Sequence, residues 1–330
     1  MGPAVMRIIS TVKLSHTELT EILSGYQLTP LSTPQLAKEG RIASNYAVET
    51  REAGKIIARL YPASYNEKLV SFETRALHFF ASNSLSAPSP FLIDGLGYCK
   101  SKTGEYICVY PYIEGHPLEQ QAIDRNIVTR AAENLRRLID VSLTYKHQGD
   151  EPAGDLEFIK ALLANFQSDN PELLSSNLAN EMSAALCNPS LNEWMKHCPK
   201  GIVHADYFFE NILIKKDGSF ATLDFGDAYF GNPVNDICVG AMEFAVDQDE
   251  HWNLEFMREF FIPLKSLIAQ FNLTGPRFTM LLQANCIRFA IYTIPVTIKE
   301  GKAVSENPYV KRFSLLNDPH FSNQIEKCLP

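Results

Sequence analysis

The run Gly201-Ile-Val-His204-Ala-Asp206-Tyr-Phe-Phe-Glu-Asn211-Ile-Leu-Ile214 decides the reading of this chain, together with Ala221-Thr-Leu-Asp224-Phe225-Gly226-Asp227 just beyond it. Ile202-Val203 and Ile212-Leu213-Ile214 read as short buried strands. Lys216-Asp217-Gly218 reads as the turn of a hairpin, and a third apolar strand ends at Asp224. The chemistry-bearing residues are spaced H-x-D-x₄-N, followed by an Asp at the end of the next strand. Phosphoryl transfer needs such a set. One carboxylate accepts the proton of the attacking hydroxyl, and two oxygen ligands hold the magnesium that bridges the nucleotide phosphates. A D-x₄-N alone is common in turns. Here flanking strands would bring Asp206, Asn211 and Asp224 to one cleft edge.

Outward from this island the chain divides in two. Asn45–Thr50 and Lys55–Tyr61 read as a β-hairpin turning at 51–54, and Thr17–Ser24 as a short helix before it. Asn66–Ala81 carries Leu69, Phe72, Ala76, Leu77 and Phe80 at helical spacing. Gly95–Cys99 and Glu105–Tyr110 read as a second hairpin with Lys102-Thr103-Gly104 at its turn. Pro111–Pro117 reads as a linker. Beyond it Ile127–Ser142, Leu156–Phe166 and Pro171–Cys187 are helical, and helices resume from Ile237. The expected fold class is α+β, two-lobed: a small β-rich N-lobe (1–110), a hinge (111–117) and a mainly helical C-lobe (118–330).

At 330 residues the chain exceeds the usual size of a single core. The formal net charge of −8 argues against nucleic acid or an anionic membrane surface as a partner. Residues 1–113 hold 11 basic and 9 acidic side chains, and residues 114–330 hold 19 and 29. The acidic excess therefore belongs to the helical lobe and suggests a cationic small-molecule acceptor. No apolar run approaches the roughly 20 residues of a membrane helix, and Met1–Ser10 is too short and weakly apolar for a signal peptide. The seven cysteines form no C-x-x-C pair, so they read as reduced thiols of a cytoplasmic protein, mostly small core fillers. Nothing in the composition sets an oligomeric state.

Residues 201–240 resemble the aminoglycoside phosphotransferase/choline kinase superfamily, which has the protein-kinase-like fold. The resemblance extends more weakly over residues 35–300. It implies Asp206 as catalytic base, His204 as support for its loop, and Asn211 and Asp224 as magnesium ligands. It implies ATP, or GTP, as phosphoryl donor. Asp236 matches a recurrent acid before a helix, with a plain helix N-cap as the alternative. On the third strand Arg59 stands where the family often has lysine. Lys55 shares its face, so either could meet the phosphates. Glu73 matches the helix glutamate that partners this cation. The nucleotide loop would be Gly40–Asn45. Val109–Ile113, with Tyr110 and Tyr112, resembles the hinge whose backbone receives the base, where Pro111 has no N–H to offer.

Asp224-Phe225-Gly226 is literally D-F-G, yet no A-P-E segment follows and Ala205 replaces the Arg of H-R-D, so a protein acceptor is disfavoured. Leu223–Asp227 followed by Tyr229-Phe230-Gly231, and the tail Glu306-Asn307-Pro308-Tyr309, are similar to the hydroxylysine kinase group. Leu60-Tyr61-Pro62 and Asn285–Phe289 are similar to the homoserine kinases of this fold. Choline, an aminoglycoside, or a catalytically dead nucleotide sensor are the alternatives to an amino acid or amino alcohol acceptor.

Overall fold

The computed structural model describes residues 15–39, 43–247 and 251–330. The readings placed on Met1–Ser10, and on residues 40–42 of the nucleotide loop, lie outside these. The fold is α+β. Helix α1 (His16–Gly25) precedes strands β1 (Gln35–Glu39), β2 (Ser44–Thr50) and β3 (Gly54–Tyr61), then helix α2 (Glu67–Ser82) and strands β4 (Cys99–Lys100) and β5 (Tyr106–Pro111). The strands form one antiparallel sheet in the order β1-β2-β3-β5-β4.

The period of two along β3 sorts its side chains. Ile56, Ala58 and Leu60 join Val48, Ile107 and Val109 under Leu19 and Leu23 of α1, a small core on the sheet's outer face. Lys55, Ile57, Arg59 and Tyr61 take the opposite face. There Tyr61, Cys108 and Tyr110 merge with α2 into the main core. Asn66 caps α2 by accepting the Lys68 N–H.

The second hairpin is shorter than its sequence suggested. Asp94 and Gly95 both have positive φ, 51° and 79°, and make a tight turn of their own between Ile93 and Leu96. Asp-Gly is a favoured dipeptide for such turns, so only Cys99–Lys100 is left to pair with β5.

Beyond β5 come β6 (His116–Pro117), α3 (Arg125–Ser142), α4 (Leu156–Asp169), α5 (Ser176–Leu186) and α6 (Pro189–His197). The strand island that carries the H-x-D-x₄-N spacing follows as β7 (Gly201–Val203), β8 (Ile212–Ile214), β9 (Phe220–Thr222) and β10 (Tyr229–Gly231). Helices α7 (Val234–Phe244), α8 (Leu254–Phe261), α9 (Lys265–Gln270), α10 (Gly275–Lys299), α11 (Pro308–Leu316) and α12 (Pro319–Glu326) complete the chain. The segment read as a linker is fastened to the island, since β6 pairs with β8. Gly115 permits this approach: a Cβ there would stand 2.9 Å from the Ile214 carbonyl oxygen.

Helix α10 is 25 residues long and apolar enough to cross a bilayer by length and composition. It is a core helix here, with Phe278, Leu282, Ile287, Ala290 and Ile294 fully buried. It also carries buried Asn285 and Arg288, both hydrogen-bonded within the protein. Cys108, Cys198, Cys238, Cys286 and Cys328 are buried free thiols, Cys99 is half-buried and Cys187 is exposed.

Candidate active site

The loop between β7 and β8 carries Asp206 and Asn211, and the hairpin β8–β9 returns the chain so that Asp224 follows β9. Asn211 Nδ2 donates to the Asp206 carbonyl at 2.9 Å and to Asp206 Oδ2 at 3.0 Å. With its N–H groups turned to Asp206, Asn211 keeps its amide oxygen as the acceptor for other use. Leu223 N–H donates to the Asn211 carbonyl at 2.8 Å, which binds the strand before Asp224 to the same loop.

His204 is buried and neutral. Burial pushes its pKa down to about 4, against the pull of the Leu223 carbonyl and nearby carboxylates. Its ring spans the site: Nε2 lies 2.9 Å from the Leu223 carbonyl oxygen, and Nδ1 accepts the Asp206 N–H at 3.2 Å. This pattern fixes the proton on Nε2. Phe225 packs edge-on against His204, with ring centroids 4.4 Å apart, and against Phe80 of α2 at 5.2 Å.

Asp236 is not the N-cap of α7, which is Pro233. It lies in the helix's first turn, wholly buried, and its carboxylate accepts the His204 N–H at 2.8 Å and the Ala205 N–H at 2.7 Å. Its partners are 32 and 31 residues upstream, which no local pattern reveals. Ala205 has φ 68° and Asp224 φ 57°, both left-handed. Asp tolerates this region by local hydrogen bonding, whereas alanine stays there only under outside constraint. Asp236→Ala leaves two buried N–H groups without an acceptor, at about 1–3 kcal/mol each. The expected loss, measured by urea unfolding, is about 2–6 kcal/mol. A loss no greater than about 1 kcal/mol, ordinary for a helix cap, would contradict this role.

Arg59 and Lys55 share a strand face but not a site. Arg59 Nη2 donates to Asp224 Oδ1 at 2.8 Å, and Nη1 lies 3.5 Å from Glu73 Oε1. The Tyr61 hydroxyl donates to Glu73 Oε2. Burial opposes the charge on Arg59, but Asp224 and Glu73 more than offset it and hold its pKa well above the ordinary value. Burial raises the Glu73 carboxyl, with Arg59 pulling the other way. At Asp224, burial raises the pKa but Arg59 wins and holds it below the usual range. The Asp224 side chain nonetheless keeps 46% of its surface exposed, so it remains open to a ligand. A Cβ on Gly226 would come within 3.2 Å of both Arg59 Nη2 and Asp224 Oδ1, so glycine makes room for this pair.

Lys55 Nζ instead lies 4.0 Å above the Tyr112 ring, at the hinge end of the strand. The hinge residues behave unequally. The Val109 side chain faces the outer core and its carbonyl accepts the Phe91 N–H. Tyr110 is buried, its hydroxyl beside the Cys108 thiol. The Tyr112 N–H is already donated to the Lys55 carbonyl at 3.1 Å, so it is not the free donor the hinge resemblance implied.

Three acids of the acidic helical lobe that follow the island are each paired. Asp227 meets Arg288 at 3.3 Å, Glu243 meets Arg312 at 3.7 Å, and Asp247 meets His251 at 3.8 Å. Phe208, two residues past Asp206, begins an aromatic row: Phe208–Phe289 centroids are 5.1 Å apart and Phe289–Tyr309 5.2 Å. The Tyr309 hydroxyl donates to Glu243 Oε1 at 3.3 Å. Burial and then Glu243 raise the pKa of that hydroxyl well above its ordinary value, and Asp206 is near enough to add to the effect.

Asn211 and Asp224 supply hard oxygen donors of the kind magnesium takes, and they suit an ion that completes its shell with phosphate and water. Among the described residues no group of three or more His, Cys, Asp and Glu gathers as a metal cage.

Residues 33–270 match the phosphotransferase enzyme family, more than half of the chain, and the protein belongs to that family. It is a small-molecule kinase in class. A homoserine kinase of Phenylobacterium zucineum is 22% identical over 246 residues, covering 74% of this chain and 74% of that protein. Among solved structures, an amicoumacin kinase superposes with TM-score 0.66 at 13% identity, over 95% of each chain. A microcompartment-associated aminopropanol kinase gives 0.65 at 14%, over 95% of this chain and all of that one. These two likenesses show the fold.

Proposed function

We propose that the protein transfers the γ-phosphate of ATP or a similar nucleotide to the hydroxyl of a small amino acid, homoserine-like or hydroxylysine-like, with magnesium. Asp206 accepts the hydroxyl proton while Asn211 holds its carboxylate in place. Asn211 and Asp224 are the metal ligands, and magnesium when bound neutralises charge on the phosphate oxygens. Arg59, tied to Asp224, is the cation at the phosphate end. Lys55 and Tyr112 mark the base end, about 13 Å away at strand spacing. The homoserine kinase relatives support an amino acid acceptor.

The observation that carries the choice of acceptor is the buried pair Glu243–Arg312 at the far end of the aromatic row from Asp206. Its opposite charges complement a zwitterion, with Glu243 toward the ammonium and Arg312 toward the carboxylate. Arg312 Nε is buried without a hydrogen-bond partner among the described residues. An amino alcohol would use only the Glu243 half.

A phosphorylation screen across hydroxylated amino acids, amino alcohols, aminoglycosides and neutral sugars tests this. Amino acids are expected to turn over best. Glu243→Gln is expected to raise the acceptor KM about tenfold or more, the value of one charge-assisted hydrogen bond, with the nucleotide KM unchanged. Neutral sugars as the only acceptors would overturn the proposal.

A further inference from the structure

The H-x-D element of this chain has alanine at its centre, and the backbone of Ala205 is left-handed without a side chain able to hold it there. It is gripped from two sides. Asp236 takes its N–H, and Arg288, from α10, donates Nη1 to its carbonyl oxygen at 2.6 Å. The second arm of the same guanidinium, Nη2, reaches Asp227 Oδ2 at 3.3 Å, three residues past Asp224. Arg288 is buried at 5% exposure, 83 residues downstream of Ala205. Burial opposes its charge, and Asp227, then Tyr292 and Asp206, more than offset that cost.

We infer that Arg288 is a positioning residue for the transfer step: one guanidinium couples the loop that carries Asp206 to the loop that carries Asp224, and so sets the separation of base and metal ligand. The planar fork suits this. Its two donors serve two partners in fixed relative geometry, which a lysine ammonium on a flexible stem does not reproduce. The loop also regains, from a distant helix, a guanidinium that the H-R-D form carries in its own sequence. No acceptor contact is required of Arg288. The inference rests on the reading of Asp206 as base.

The test compares Arg288→Ala, Arg288→Lys, Asp227→Asn and Asp206→Asn in the full chain. Turnover of Mg·ATP is followed both to water and to the best acceptor from the screen. Nucleotide affinity and amide hydrogen exchange over residues 203–206 are measured alongside. A displacement on the order of 1 Å costs about 10²-fold in rate, so Arg288→Ala is expected to lose about that factor in kcat. Its nucleotide affinity should stay within about threefold, and the 203–206 amides should exchange faster. Added guanidinium ion should restore part of kcat. Arg288→Lys, holding one partner at a time, should fall between Arg288→Ala and the parent, and Asp227→Asn, which leaves the Ala205 bond intact, should lose less than Arg288→Ala.

A folded Arg288→Ala with kcat within about threefold of the parent would overturn the inference, because it sits far below the expected geometric effect. If Arg288→Ala does not fold, Arg288→Lys decides: full kcat overturns the inference, while reduced kcat with unchanged nucleotide affinity supports it. An inactive Asp206→Asn beside unaffected Arg288 variants defeats this inference alone. An active Asp206→Asn defeats the reading of the base on which it rests.

Discussion

Asp206→Asn is expected to bind nucleotide as the parent does and to lose turnover by a factor of about 10² to 10⁴, the usual share of general-base catalysis. The substitution keeps the side chain's size and its capacity to bond Asn211, so the loop should hold its shape. What it removes is the group proposed to accept the hydroxyl proton. His204 cannot replace it. Its Nδ1 accepts the Asp206 N–H and its Nε2 is engaged by the Leu223 carbonyl. Steady-state rates with nucleotide titration on the same preparation check this.

The second large effect is expected at Arg59. Arg59→Ala removes the only cation paired with Glu73 and Asp224 among the described residues. It leaves Glu73, at 2% exposure, as an uncompensated buried charge. Breaking a buried pair in this way costs about 3–5 kcal/mol. Nucleotide affinity should fall about tenfold or more, since charge-assisted hydrogen bonds contribute about 1.5–3 kcal/mol. Lys55→Ala, by contrast, changes an exposed residue whose ring contact is with Tyr112. Its stability effect should stay within about 0.5 kcal/mol. Urea unfolding and nucleotide titration of both variants measure the contrast, and a larger affinity loss for Lys55→Ala would reverse the assignment.

These two sites differ in how far the sequence reveals them. Asp206, Asn211 and Asp224 stand at fixed spacing between strands, and local chemistry alone groups them. Arg59 and Lys55 could not be separated by sequence, because a period of two puts both on one face. What separates them is their neighbours: Glu73 and Asp224 meet one, and Tyr112 meets the other. Asp236 read equally well as a helix cap, since its partners are contributed by a loop from the other side of the island. Arg288 was visible only as part of a similar stretch. Its work depends on two carbonyl and carboxylate partners more than 60 residues upstream.

Other misses had local signals. Asp94-Gly95 is a turn dipeptide that shortens the second hairpin. Asn188-Pro189 is an N-cap followed by proline at the first helical position, and it opens α6. Strand β1, Gln-Leu-Ala-Lys-Glu, had no such signal: it has no β-branched or aromatic residue and exists because β2 offers it an edge.

The division of labour between Asp206 and Asp224 is tested most directly by a magnesium series on Asp206→Asn and Asp224→Asn, with nucleotide affinity and turnover both recorded. Asp224→Asn removes a negative charge from the proposed metal shell, so the metal–nucleotide complex itself should weaken and rising magnesium should restore part of it. Asp206→Asn should keep parental nucleotide affinity, and no magnesium concentration should recover its turnover. Equal rescue of the two variants, or full activity in Asp206→Asn, would contradict the assignment of base and metal ligand.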